Sequence, residues 1–208
     1  MNWAVVEVAA PEVEPVSLEE LRAHLNLTAA GSPATHPDDD LITAQGIAAR
    51  EWVESYTGYA IIQRQLRLYL DAFPSDDTII LPRSRLVSID SVQYVDTDGA
   101  TQTWDAGNYS ADTASAEGRL MRGYQVDWPT IREQRQAVTI TYTAGFPGVG
   151  SPEGLTANVP KSIKAAIKLM VANMYEYREE MVAGTVTAEV KGNTTVKDLL
   201  APYRRHYL

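Results

Sequence analysis

The chain has 208 residues, enough to bury a sizeable core in one or two domains, and its 45% hydrophobic and 22% charged content is ordinary for a globular protein. It contains no cysteine, which excludes disulfides, thiolate nucleophiles and thiolate metal sites and fits a reducing compartment. A net charge of −9 excludes a surface that grips phosphates over much of its area, but not one that DNA slides past without being held.

Residues 1–16 carry Pro11 and Pro15 among valines and glutamates and read as an extended arm with a short strand at 4–8. No basic leader is present and Glu7, Glu12 and Glu14 break the apolar run, so no signal peptide is expected here. No apolar run approaches the roughly 18 residues of a membrane span. A short helix then starts at Ser17, which with Glu20 forms a capping box, while Val16 and Leu21 are spaced for a hydrophobic staple. Leu18, Leu21 and Leu25 give this helix its apolar stripe, and "AAGSPATHP" ends it in a loop.

Three consecutive aspartates, Asp38, Asp39 and Asp40, open the next segment. Leu41, Ala44, Ala48, Trp52 and Tyr56 follow at three- and four-residue steps, which predicts a helix closed by Gly58 in the left-handed conformation. Carboxylates at a helix start can cap open N–H groups and meet the positive end of the dipole. A calcium loop needs alternating acids and a central glycine, and that pattern is missing. The aspartates therefore read as a helix start.

From Gln63 to Phe146 the apolar period changes to two, with Leu66, Leu68 and Leu70 and then Val138, Ile140 and Tyr142 facing one way. Two strands flank a turn at Asp98-Gly99, and the whole stretch predicts an antiparallel unit of about five or six strands. Trp104 and Trp128 read as packing residues. A glycine- and proline-rich connector, residues 145–160, occupies the place of a phosphate-binding loop. It lacks the glycine fingerprint and the Gly-Lys-Ser/Thr ending, and Glu153 would repel phosphate.

The last long helix starts at Pro160, with Ile163, Ile167, Met170, Met174, Tyr177 and Met181 forming a coiled-coil-like seam that ends at Gly184. "TVTAEVKGNTT" reads as polar and extended, and a short helical piece closes the chain. These elements predict an α+β fold: a small helical bundle, with long helices at about 38–57 and 160–182, an inserted antiparallel β unit and extended terminal arms. The expected division is 1–62, 63–147 and 148–208 within one compact domain.

Chemistry is thin. His24, His36 and His206 lie in unrelated segments without ligand spacing, no nucleophile elbow is present, and Glu179-Glu180 and Asp76-Asp77 read as solvated acids. No enzyme, metal or cofactor is expected. The carboxy-terminal end differs, because side chains 197–208 sum to +2. Leu199, Leu200, Tyr203, Arg204, Arg205 and Tyr207 combine apolar anchors with cations, the composition of an interface hot spot. With too few apolar residues for a core of its own, this segment is expected to be a separable arm that can be truncated without loss of stability.

Five segments in order, "DDDLITAQGIAAREWVESYTGYAIIQRQ", "IILPRSRLVSIDSVQYVDTDGA", "DWP…VTITYTAGF", "VPKSIKAAIKLMVANMYEYRE" and "LLAPYRR", resemble the head–tail connector (adaptor) proteins of long-tailed bacteriophages and of phage-derived gene transfer agents. The resemblance implies a virion structural protein of the neck, present in the host cytoplasm during assembly. It implies a ring of about twelve copies below the portal protein, closed by cyclic symmetry. A stopper or tail-completion protein would lie beyond the ring, and DNA would pass through its channel without sequence-specific binding. In such adaptors the carboxy-terminal segment docks on the portal, which maps to residues 196–207. The other reading of the residues is a non-catalytic binding or regulatory module acting as a monomer or small oligomer, which a ligand-induced melting shift would favour.

Overall fold

A computed structural model describes residues 3–27, 35–83, 85–148, 150, 152–177 and 192–205. The chain enters as strand β1 (Trp3–Glu7), continues through helices α1 (Leu18–His24) and α2 (Asp39–Thr57), and then runs through β2 (Arg64–Leu70), β3 (Thr78–Ile80), β4 (Leu86–Val95), β5 (Thr101–Thr103), β6 (Tyr109–Asp112), β7 (Arg119–Arg122) and β8 (Val138–Ala144). Helices α3 (Pro152–Thr156), α4 (Lys161–Glu176) and α5 (Gly192–Leu200) follow, with a 3-10 turn at Ala201–Tyr203.

This overturns the expected architecture. The described chain is not a small helical bundle with an inserted β unit and extended arms, but a strand-rich mixed fold in which two antiparallel sheets stand beside helices of 5 to 19 residues. One sheet has the order β1-β2-β8-β4-β5 and the other β3-β7-β6. The amino-terminal segment pairs along its whole strand, from Trp3 opposite Leu70 to Glu7 opposite Leu66. At the other end, α5 packs on α4. Helix α4 ends at Glu176, short of residue 182, and Met181 lies outside the described residues.

Alternation explains the large sheet. In β2, Arg64, Leu66, Leu68 and Leu70 are buried while the residues between them are half-buried. Val138, Ile140, Tyr142 and Ala144 of β8 are buried beside them, and the buried Tyr142 hydroxyl donates to the Pro82 carbonyl at 2.6 Å. Register shifts between Leu86 and Ser88 and between Ile89 and Ser91 irregularly bend β4 against β8. Phe73 stacks on Trp128 at 4.9 Å, with Trp104 5.2 Å from Trp128, so both tryptophans pack as expected.

A second core lies among the helices. Ser17 caps α1 in a capping box with Glu20, and Val16 and Leu21 are both buried there. Gly58, at φ 78°, closes α2 in the left-handed region that glycine tolerates. The α4 seam is wider than a coiled-coil stripe. Ile163, Ala166, Ile167 and Val171 are buried, Met170 and Met174 are partly buried, and Tyr177 is 61% exposed. Helices packed on several sides need a broad apolar face, and this one meets α1, α2 and α5.

Candidate functional site at the carboxy-terminal end

Helix α5 carries the sequence-predicted interface. Val196 and Leu200 are buried in the helical core, and Leu199 and Tyr203 pack partly against it. Ser162 Oγ of α4 donates to Tyr203 Oη at 3.3 Å. Arg204 is exposed, its guanidinium 5.2 Å from the centre of the Tyr56 ring. Arg205 is buried: its backbone N–H donates to the Thr57 carbonyl at 3.0 Å, and its guanidinium lies 3.4 Å from Glu117 Oε1 and 5.6 Å from the Tyr59 ring. Tyr207 lies outside the described residues.

The structure thus brings Arg204 and Arg205 to the end of α2 and sets Leu199, Leu200 and Tyr203 in or against the helical core, and it corrects one expectation. This end is not a separable arm, because two of its side chains complete the core between α2 and α4. Periodicity within nine residues could not reveal that, since a short amphipathic helix looks the same whether its partner is its own chain or another.

A charged clasp lies nearby and was not foreseen. Glu54, 6% exposed on α2, accepts from Arg50 Nη1 at 3.0 Å, from the Ile61 N–H at 2.9 Å and from both Arg64 Nη atoms at 2.7 Å. Arg64 also reaches Glu7 of β1 at 2.8 Å, which Arg83 approaches at 3.0 Å, and Arg50 donates to Glu14 at 2.9 Å. Three carboxylates and three guanidinia therefore join the amino-terminal segment, α2 and β2. Burial works against the charge on Arg64, yet its bonds to Glu54 and Glu7 outweigh this and hold its pKa above the ordinary value. Burial pushes the Glu14 carboxyl up despite the opposing Arg50. One signal was available: Arg64 shares the inward parity of Leu66, Leu68 and Leu70, where a charge demands a partner.

The aspartates begin α2 as predicted, but they do not cap it. Asp38, at the N-cap, makes no side-chain capping bond and instead accepts from Tyr175 Oη of α4 at 2.7 Å. Asp39 accepts from the His36 N–H at 2.8 Å and forms a two-point ion pair with Arg22 of α1, with Nε at 2.6 Å. They join three helices. Among the described residues, no group of three or more histidines, aspartates and glutamates is arranged to hold a metal ion.

The family model described as Head completion protein matches residues 16–206. The chain belongs to the head completion protein family. Among solved structures, a chain in the neck of an empty gene transfer agent particle, computed with C6 symmetry, is 25% identical with a TM-score of 0.79, covering 99% of this chain and 97% of that one. A chain from the virion of a native gene transfer agent particle is 24% identical with a TM-score of 0.75, covering 98% and 96%, and shares the fold. Another, from the neck of a native particle computed with C12 symmetry, is 23% identical with a TM-score of 0.73, covering 99% and 97%. No curated protein matches. This head completion protein is a virion structural protein of the neck, where head and tail join, and not an enzyme.

Proposed function

We propose that this head completion protein forms a ring of about twelve copies below the capsid portal, with the stopper or tail-completion protein on its far side and a central channel for DNA. The observation that carries this reading is the match of nearly its whole length, at 25% identity, to a chain in a neck with rotational symmetry. Its charge of −9 supports passage rather than retention of a polyanion, since 27 acidic side chains against 18 basic ones leave a net repulsion toward phosphate.

The carboxy-terminal end is the portal contact in this proposal. Leu200 and Arg205, both buried, fix the geometry of that end, while Arg204, the half-buried Leu199 and Tyr203, and Tyr207 supply the contact. Acidic groups on the portal would pair with Arg204. Particles assembled without this chain test the role: filled heads and free tails are expected side by side. Normal tailed particles in its absence would overturn it.

A further inference from the structure

Strand β1 is an edge of the five-stranded sheet, and among the described residues nothing pairs with its outer side. Edge strands of soluble proteins are usually guarded by charge, proline or a bulge, because their free N–H and C=O groups accept any arriving strand. This one is not guarded. Trp3 is 55% exposed, Val6 51% and Val8, just beyond the strand, 44%, and the stretch from Trp3 to Val6 carries no charge. Its single acid, Glu7, is turned to Arg64 and Arg83 of the same chain. The strand is also held ready: it pairs with β2 over five residues, and the Val8 N–H donates to the Gln65 carbonyl at 3.1 Å. A partner strand would meet a surface whose ordering cost is already met.

We propose that the outer edge of β1 is the contact between neighbouring copies of this chain in the ring, and that it pairs with the outer edge of β5 of the next copy. The proposal rests on the ring reading above and adds the surface that closes it. A ring needs two different faces per copy, one meeting the other around the circle. The large sheet offers two, β1 at one end and β5 at the other. Thr101, Gln102 and Thr103 of β5 are all exposed and uncharged. Copies that each carry −9 repel, so their contact belongs where little unpaired charge stands: Trp3–Val6 and β5 carry none, and Glu7 is already paired with Arg64 and Arg83. The size also fits. At about 4.8 Å per strand, five strands span about 24 Å, so about twelve copies give a circumference near 290 Å, wide enough to enclose a DNA duplex. Main-chain hydrogen bonds would supply the affinity, while Trp3 and Val6 would cover the neighbour's strand.

The absence of native cysteine makes the test clean. Val6→Cys and Gln102→Cys are introduced together into the full chain, the protein is assembled on portal-bearing heads, and the particles are oxidised and run without reductant. The expected result is a ladder of disulfide-linked multimers that neither single variant gives. Val6→Lys, at a half-exposed position opposite Arg67 of β2, is checked first by its melting temperature, because two facing cations repel, and the folded variant is expected to shift from rings to unassembled chains. Rings seen by electron microscopy with no ladder, and with Val6→Lys still assembling, would overturn the β1 contact and leave the ring standing. A wild-type protein that binds heads without forming any ring would overturn both.

Discussion

Arg64 and Glu54 face each other through two parallel hydrogen bonds, Nη1 to Oε1 and Nη2 to Oε2, each 2.7 Å long. Such a fork fixes both distance and angle, and here it fixes the first strand after α2 against that helix. Removing one partner of a buried pair typically costs about 3–5 kcal/mol, because the other charge is left without compensation. Glu54→Ala, which strands both Arg64 and Arg50, is expected to lower unfolding free energy by about that amount in urea titration. Replacing Glu54 and Arg64 together by apolar residues should cost less than the single change. Additive losses in that double-mutant cycle would contradict the coupling.

Leu200 is fully buried although it is only eight residues from the end of the sequence. Leu200→Ala is therefore expected to cost about 2–5 kcal/mol, and truncation before Gly192 to lower the melting temperature. A truncated protein that melts like the full chain would show that α5 does not complete the core.

Arg204 offers the converse. It is exposed and its guanidinium lies over the face of Tyr56, so Arg204→Glu should change stability by about 0.5–1 kcal/mol at most. Portal binding should weaken, and the defect should shrink as salt is raised, because screening removes the new repulsion as well as the lost attraction. Pull-down at low and high salt reads both.

Acid should destabilise the fold, and the sign follows from four carboxylates. For Glu20, burial raises the pKa, but the Ser17 N–H and Lys168 bonds prevail and bring it below 4.5. Asp39 is held below 3.8 chiefly by Arg22, Asp96 by the Gln102 side chain and Asp112 by Ser115. A depressed folded-state pKa means stability that is present above the ordinary value and lost as pH falls through the folded one. Glu14 runs the other way: its raised pKa makes its ionised form unfavourable to folding, so acid relieves that cost. Four groups against one predict net loss below about pH 4.5. Asp39→Asn should flatten the loss below 3.8 in melts recorded from pH 6 to 2; an unchanged slope would sink this account of Asp39.

Local signals were legible where one segment contained the whole reason. Ser17 and Glu20 are three residues apart and form their box, Gly58 takes the left-handed cap, and Leu66, Leu68 and Leu70 turn inward together. What failed depended on partners distant in sequence. The valines of the amino-terminal arm could not announce that β2 would pair with them 60 residues later. Asp38 looked like a cap because Tyr175, its real partner, lies 137 positions away. Composition singled out the residues proposed for the portal contact, but it could not divide them into Leu200 and Arg205, which are buried, and Arg204, which is exposed.

The most direct test of the central claim is cryo-electron microscopy of purified portal mixed with this protein. The account predicts an added ring of rotational symmetry on the portal, about twelve copies of a 22.9 kDa chain, with α5 toward the portal and an open channel on the axis. A portal that stays bare, or one bound by single asymmetric copies with the axis blocked, would contradict it.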